Sequence, residues 1–228
     1  MTVQLNDLVN GADKCHPLGP VEIEYRPGLY RNFLKRVFDL AAVLASSIVV
    51  VPAIAVLALI IARDGSSPFY WNDRVGRGGR DFRMLKLRTM VPDADRMLLR
   101  HLAEQPEARR EWDATQKLKN DPRITMIGRF LRKSSLDELP QLWNVLKGDM
   151  SLVGPRPMMP SQRILYGGSA YYALRPGVTG PWQVSDRNES EFSKRVEFDR
   201  LYNDTLSFRT DVGLIVATLR VVLKATGY

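Results

Sequence analysis

The stretch LAAVLASSIVVVPAIAVLALIIA, Leu40 to Ala62, runs for 23 residues without a charged side chain and decides what kind of fold this chain can have. As a straight helix it would be about 34 Å long, enough to cross the hydrocarbon core of a bilayer. Pro52 lies at its middle, where it removes a backbone donor and its ring crowds the carbonyl of Ile48. Both flanks are basic, with Arg31, Lys35 and Arg36 before the run and Arg63, Arg74 and Arg77 after it. Lys and Arg beside an apolar segment favour the cytoplasmic side, so both ends belong on one side of the membrane. A re-entrant membrane helical hairpin over residues 31–63, broken near Pro52 and reaching about 18 Å with each half, meets both conditions. Ser46 and Ser47 supply hydroxyls for carbonyls near the break. The competing readings are a kinked helix that spans the membrane and a core helix of a soluble protein. For a core helix the run is too long and too uniformly apolar.

Outside this run the composition is that of a folded domain. The chain has 228 residues, 45% of them apolar and 25% charged, enough for one substantial core. A formal charge of +8 points to an anionic partner: nucleic acid, an anionic membrane surface or a phosphorylated substrate. The single cysteine, Cys15, excludes an intramolecular disulfide, and no Cys/His cluster offers a zinc site. Only His16 and His101 are available as imidazole bases. The first lies in a Pro/Gly-punctuated stretch and the second in a charged helical pattern, so a Ser-His-Asp hydrolase is poorly provided for. Residues 1–30 read as a flexible leader, and the apolar block starts too late for a secretory signal.

Residues 64–228 form the third region. In RVGRGGRDFRMLKLRTM, Arg74 to Met90, the glycines mark a tight turn between extended segments, and six cations fall within fifteen residues. Val91 to Asn120 reads as charged surface helices. Beyond it come a helix or turn through Phe130, a helix from about Asp137 to Leu146, and a Gly148-Asp149 turn. A short buried strand, Met150 to Val153, precedes a helix from about Glu191 to Asn203. A C-terminal amphipathic segment, Val212 to Lys224, is too densely apolar for one clean face and suits a core or an interfacial position. The fold class is α+β and mostly helical, with short strands and interfacial amphipathic helices.

SSLDELPQLWNV, Ser134 to Val145, sets two carboxylates, Asp137 and Glu138, beside a proline. One reading is a capping box from Ser135 to Glu138. Under that register Pro140 would be the fifth helical residue, where an amide donor is already needed, so a start near Asp137 fits better. A carboxylate at a helix N-terminus is held ionised by the dipole, and the same end favours a bound phosphate. Two carboxylates and a phosphorylated ligand need cations, for which Lys86, Arg88, Arg132 and Arg156 are candidates. Pro155 and Pro157 restrict the backbone on either side of Arg156, which suits a guanidinium aimed bidentately at phosphate. A divalent ion, Mg²⁺, would complete the neutralisation through Asp137 and Glu138.

Three stretches, KLRTM, LRKSSLDELPQLWNVLKGDMSLVGPRP and RPGVTGPWQV, together resemble the bacterial sugar transferase family. These are monotopic polyprenyl-phosphate phosphoglycosyl transferases, which start exopolysaccharide, capsule and glycoconjugate assembly. The resemblance runs from about Asn32 to the C-terminus and matches the minimal form of the family. It implies a re-entrant helix and a site on the cytoplasmic face of the bacterial inner membrane. The implied reaction moves a sugar 1-phosphate, a hexose such as galactose or glucose, from a UDP-sugar to undecaprenyl phosphate with release of UMP. By resemblance Asp137 is the nucleophile that forms a phosphosugar–enzyme intermediate and Glu138 its partner in orienting, deprotonating or metal binding. Lys86, Arg132 and Arg156 match phosphate-binding positions. The chain departs from the pattern at Val51, where the family often has Ser before the proline, and at Asp186, where it often has Gly. The expected partners are the two substrates and membrane lipids, with a homodimer left open and no nucleic acid. Two rival readings remain at this point. A membrane-tethered nucleic-acid-binding module would use the basic Arg74–Arg88 stretch but explains neither Asp137 and Glu138 nor GPRP. A non-catalytic assembly subunit fits the intact set of candidate residues poorly.

Overall fold

The computed structural model describes residues 27–115, 118–185 and 194–223. Most of the predicted leader, Asp186 and the first residues of the helix predicted from Glu191 lie outside them. After a π-helical turn at Tyr30–Leu34 the apolar run forms α1, Lys35–Ile61, with Pro52 inside it. The expected pair of half-helices is therefore one continuous helix. Pro52 costs it a single ladder hydrogen bond, while the turns on either side keep theirs. The Ser46 and Ser47 hydroxyls donate to the carbonyls of Val43 and Leu44, three residues back, and not to Ile48.

The β-hairpin predicted around the glycines is present as β1, Phe69–Val75, and β2, Asp81–Leu87, paired antiparallel from Phe69 opposite Leu87 to Val75 opposite Asp81. Gly78 and Gly79 take positive φ (69° and 77°) in the connecting turn. The charged stretch forms α2, Ala94–Glu104, and α3, Pro106–Thr115, separated where Pro106 opens a new helix. Thr125 caps α4, Met126–Ser134, by accepting a hydrogen bond from the Gly128 amide at 2.9 Å. Then follow α5, Gln141–Lys147, β3, Ser151–Val153, α6, Ala170–Ala173, and β4, Gly177–Thr179. The chain closes with α7, Pro181–Val184, α8, Arg195–Thr205, and α9, Phe208–Leu223. β3 and β4 pair in parallel.

Asn144 of α5 holds this body together at its centre. Fully buried, it accepts a hydrogen bond from the Leu85 amide at 3.0 Å and donates to the Arg83 carbonyl at 2.7 Å. One side chain thus satisfies the free edge of β2 and fixes α5 against it. The hairpin face carrying Phe82 and Met84 packs on Val43, Val145 and Met150.

Both ends of α1 are fastened to this same body. Near the start, Lys35 pairs with buried Asp211 of α9 at 2.7 Å, and Arg36 donates to the Val145 and Leu146 carbonyls. Asp39, 1% exposed, accepts from the Ser151 hydroxyl and the Leu152 amide of β3. Near the end, Ile54, Leu57, Ala58 and Ile61 pack on Leu87 and Leu131. Between these anchors the outward residues Leu44, Ile48, Val49 and Val51 are exposed by 60–80%. The C-terminal segment, too apolar for a single face, divides between two. Leu214 and Ile215 of α9 pack on the Val153–Tyr202 cluster, whereas Phe208, Val212, Val216 and Leu219 remain exposed.

Candidate active site

Asp137 sits one turn earlier than the helix predicted to carry it. α4 ends at Ser135, which adopts the left-handed conformation (φ 57°), and Leu136–Glu138 forms a 3₁₀ turn before α5 begins at Gln141. The Ser135 side chain caps nothing, so the capping-box reading falls. Nor does Asp137 gain a helix N-terminus. Its environment is set by burial and by side chains instead.

Asp137 is 8% exposed. The Lys86 ammonium lies 2.7 Å from a Glu138 oxygen and 3.5 Å from Asp137, so one lysine bridges both carboxylates. Burial pushes the Asp137 carboxyl above the usual range, and the neighbouring Glu138 charge adds to that, while Lys86 and then Arg132 pull it back. The net direction is upward, opposite to the helix-dipole expectation. Arg132, itself pushed down by burial, is oriented by donating to the Thr89 hydroxyl at 2.9 Å.

Hairpin alternation turns Arg74, Met84 and Lys86 to one face, where they line a narrow cleft with Glu138, Gln141, Arg156, Pro157 and Gln183. Arg156 is brought over this cleft by a close backbone crossing. A Cβ on Gly154 would meet the Arg175 carbonyl at 2.3 Å, and one on Gly177 the Gly154 amide at 2.1 Å. Only glycines let these strands approach so closely, with Gly177 donating to the Pro155 carbonyl at 2.8 Å. Behind the cleft, buried Arg195 donates to the Arg156 carbonyl and lies 5.8 Å from the Trp182 ring centre. The Arg156 guanidinium itself has no hydrogen bond or ion pair among the described residues.

Five of the six residues singled out as catalytic or phosphate-binding therefore converge: Lys86, Arg132, Asp137, Glu138 and Arg156. Arg88 does not join them. Its guanidinium forms a two-pronged ion pair with Asp64 and donates to the carbonyls of Ser67, Met90 and Ile61, tying the base of the hairpin to the end of α1. Lys86 is the last β2 residue on the cleft face, and the chain has left the strand by Arg88. Arg74, Gln141 and Gln183 line the cleft without having been singled out. For Arg74 the strand alternation with Lys86 would have sufficed, since its partner Phe82 shares the Lys86 face.

The profile of the family described as bacterial sugar transferase matches residues 30–225. The chain belongs to that family. Among its relatives are the UDP-galactose-lipid carrier transferase of Erwinia amylovora, 49% identical over 198 residues, and the undecaprenyl-phosphate galactose phosphotransferase of Salmonella typhimurium, 46% identical over 198 residues. Each alignment covers 86% of this chain but 42% of the relative, so the chain spans about two fifths of those proteins. The exopolysaccharide production protein ExoY of Rhizobium meliloti is 42% identical over 196 residues, covering 85% of this chain and 87% of that one. The family match takes in α1, the hairpin and every residue of the cleft.

Proposed function

We propose that this chain transfers a sugar 1-phosphate from a UDP-sugar to undecaprenyl phosphate, releasing UMP, as the first step of an exopolysaccharide or capsule. The observation that carries the reading is the buried Asp137 beside Glu138, with Lys86 across both and Arg74, Arg132 and Arg156 nearby. Galactose is the sugar favoured by the names of two relatives.

An Asp137 oxygen attacks the phosphorus that bears the sugar. The bond from that phosphorus to the bridging oxygen breaks, and UMP leaves with the electron pair. An oxygen of undecaprenyl phosphate then attacks the same phosphorus, and the bond to Asp137 breaks, restoring the carboxylate. Arg156, uncommitted through its guanidinium, and half-buried Arg74 hold the diphosphate against the repulsion of two carboxylates. Lys86 offsets part of the cost of ionising the buried carboxylate. Asp137 and Glu138 would be the hard oxygen donors for a magnesium ion. Among the described residues the pair belongs to no group of three His, Cys, Asp or Glu side chains that could hold a metal, so most of the coordination would have to come from water and substrate oxygens. When bound, Mg²⁺ would add positive charge at the diphosphate.

The chain acts from the cytoplasmic face of the bacterial inner membrane, with α1 entering the bilayer and returning to the same side through a bend at Pro52, where an interior proline kinks a helix without ending it. Attachment of both its ends to one body supports this, because a spanning helix would carry one end across. UMP release from a panel of UDP-sugars with undecaprenyl phosphate and Mg²⁺ tests the function. No release with any of them would refute it.

A further inference from the structure

A second cavity, about 510 Å³, opens at the tip of the hairpin and shares no residue with the catalytic cleft. That volume lies within the roughly 300–1,000 Å³ of small-ligand sites. Phe82 lines it on the same β2 face as Met84 and Lys86, so four residues, about 13 Å, separate it from Lys86. Its walls are cationic. Arg77 and Arg80 are exposed, and while the Arg80 carbonyl accepts from the Gly76 amide at 2.7 Å, neither guanidinium has a hydrogen bond or ion pair among the described residues. Arg175 spends its Nε on the Gly148 carbonyl at 2.9 Å, leaving both terminal nitrogens for the cavity. The two carboxylates on the rim are already taken, Asp81 by Arg163 and Asp149 by Lys147 at 3.0 Å. Three guanidinium groups therefore face one space whose two carboxylates are each paired with another cation. Arg175 is pushed down by burial first, then by Arg77 and Arg36.

The position names the anion. Gly148 closes α5 with φ +93°, and a Cβ there would stand 3.6 Å from the Arg36 guanidinium. Arg36 lies in the first turn of α1, four residues or about 6 Å before the apolar run begins at Leu40. If α1 enters the bilayer there, this wall of the cavity stands at headgroup depth, where basic pockets on the cytoplasmic side hold lipid phosphates. We propose that the Arg77–Arg80–Arg175 cavity binds the phosphate of a membrane lipid, separately from the catalytic cleft. The proposal rests on the membrane placement of α1 given above.

Native mass spectrometry of the full chain in detergent micelles tests it, with phosphatidylglycerol, undecaprenyl phosphate and inorganic phosphate as separate probes. Arg77→Gln with Arg80→Gln should weaken retention of at least one of the two lipids tenfold or more, and the lipid affected identifies the occupant. These side chains are exposed and unbonded, so the fold should survive. Arg175→Gln should give the same loss. Arg156→Ala, on the other cleft, should leave phosphatidylglycerol retention as in the unaltered chain. Unchanged retention of both lipids in the double variant, or a loss confined to inorganic phosphate, would overturn the proposal. UMP release by the unaltered chain is read in the same micelles. Its absence, with lipid retention intact, would count against the transferase reading alone.

Discussion

Asp137 joins two demands that oppose each other. As the proposed nucleophile it must be ionised, yet its burial favours the protonated form. Its folded pKa lies above the unfolded value, so its stabilising contribution is present below the unfolded pKa and is lost as pH rises through the folded one. At neutral pH the carboxylate therefore costs stability. Asp137→Asn keeps the volume and removes both charge and nucleophile. Turnover should fall by three orders of magnitude or more, while the melting temperature at neutral pH rises and the gain shrinks toward pH 4. Near-normal UMP release in this variant would sink the covalent route. Asp199 follows the same sign more strongly. Burial raises it to about 7, with the Tyr166 hydroxyl (2.9 Å) and Arg195 holding it back. Stability should fall as pH rises from about 4 through 7, and Asp199→Asn should flatten that slope in thermal unfolding. Arg156→Lys keeps a charge but loses the planar fork, so activity should drop markedly. A variant as active as the unaltered chain, with Arg156→Ala inactive, would reduce its role to charge alone.

Among the elements, α5 and α1 act as the struts. α5 carries no catalytic side chain, yet Asn144 bonds it to the edge of β2 and so brings the 3₁₀ turn holding Glu138 against Lys86. Asn144→Leu would leave the Leu85 amide and Arg83 carbonyl unpaired, at about 1–3 kcal/mol each. Denaturant unfolding should show that loss, and UMP release should fall although no cleft residue has changed. In α1, Pro52→Leu restores the missing donor and removes the crowding, worth about 3 kcal/mol to the helix. Straightening it would favour a spanning orientation, which has to strip Arg31, Lys35 and Arg36 from their contacts with Asn203, Asp211 and the α5 carbonyls. A mixed N-terminal orientation with lower activity is the expected result. Cysteine labelling near residue 20 in a Cys15-free background reads it, and periplasmic labelling of the unaltered chain would show that α1 simply spans.

At the scale of the whole molecule, the long apolar helix and the charged cleft occupy different parts of the fold. Leu44, Ile48 and Val51 of α1 and Phe208, Val216 and Leu219 of α9 are left uncovered, whereas the carboxylates and arginines of the cleft lie in the body that joins the two ends of α1. Such a body can work on a phosphate at headgroup depth while keeping its charges in water.

Much of this was readable from residue order. An uncharged run of 23 residues has to lie in apolar surroundings whatever it touches, and glycines at Gly78 and Gly79 permit the positive φ of a tight turn. Both are local properties, as is the adjacency of Asp137 and Glu138. What local order does not carry is who meets whom. Asn144 reaches Leu85 across 59 residues and Asp39 reaches Ser151 across 112, with no periodicity linking either pair. Arg88 and Arg74 are both arginines of one basic stretch. Strand pairing turned Arg74 into the cleft, and Asp64 took Arg88 away from it. The charge state of Asp137 was decided in the same way. Helix position argued for a lowered pKa, but burial depends on everything folded around a side chain, and that existed only once the body had closed.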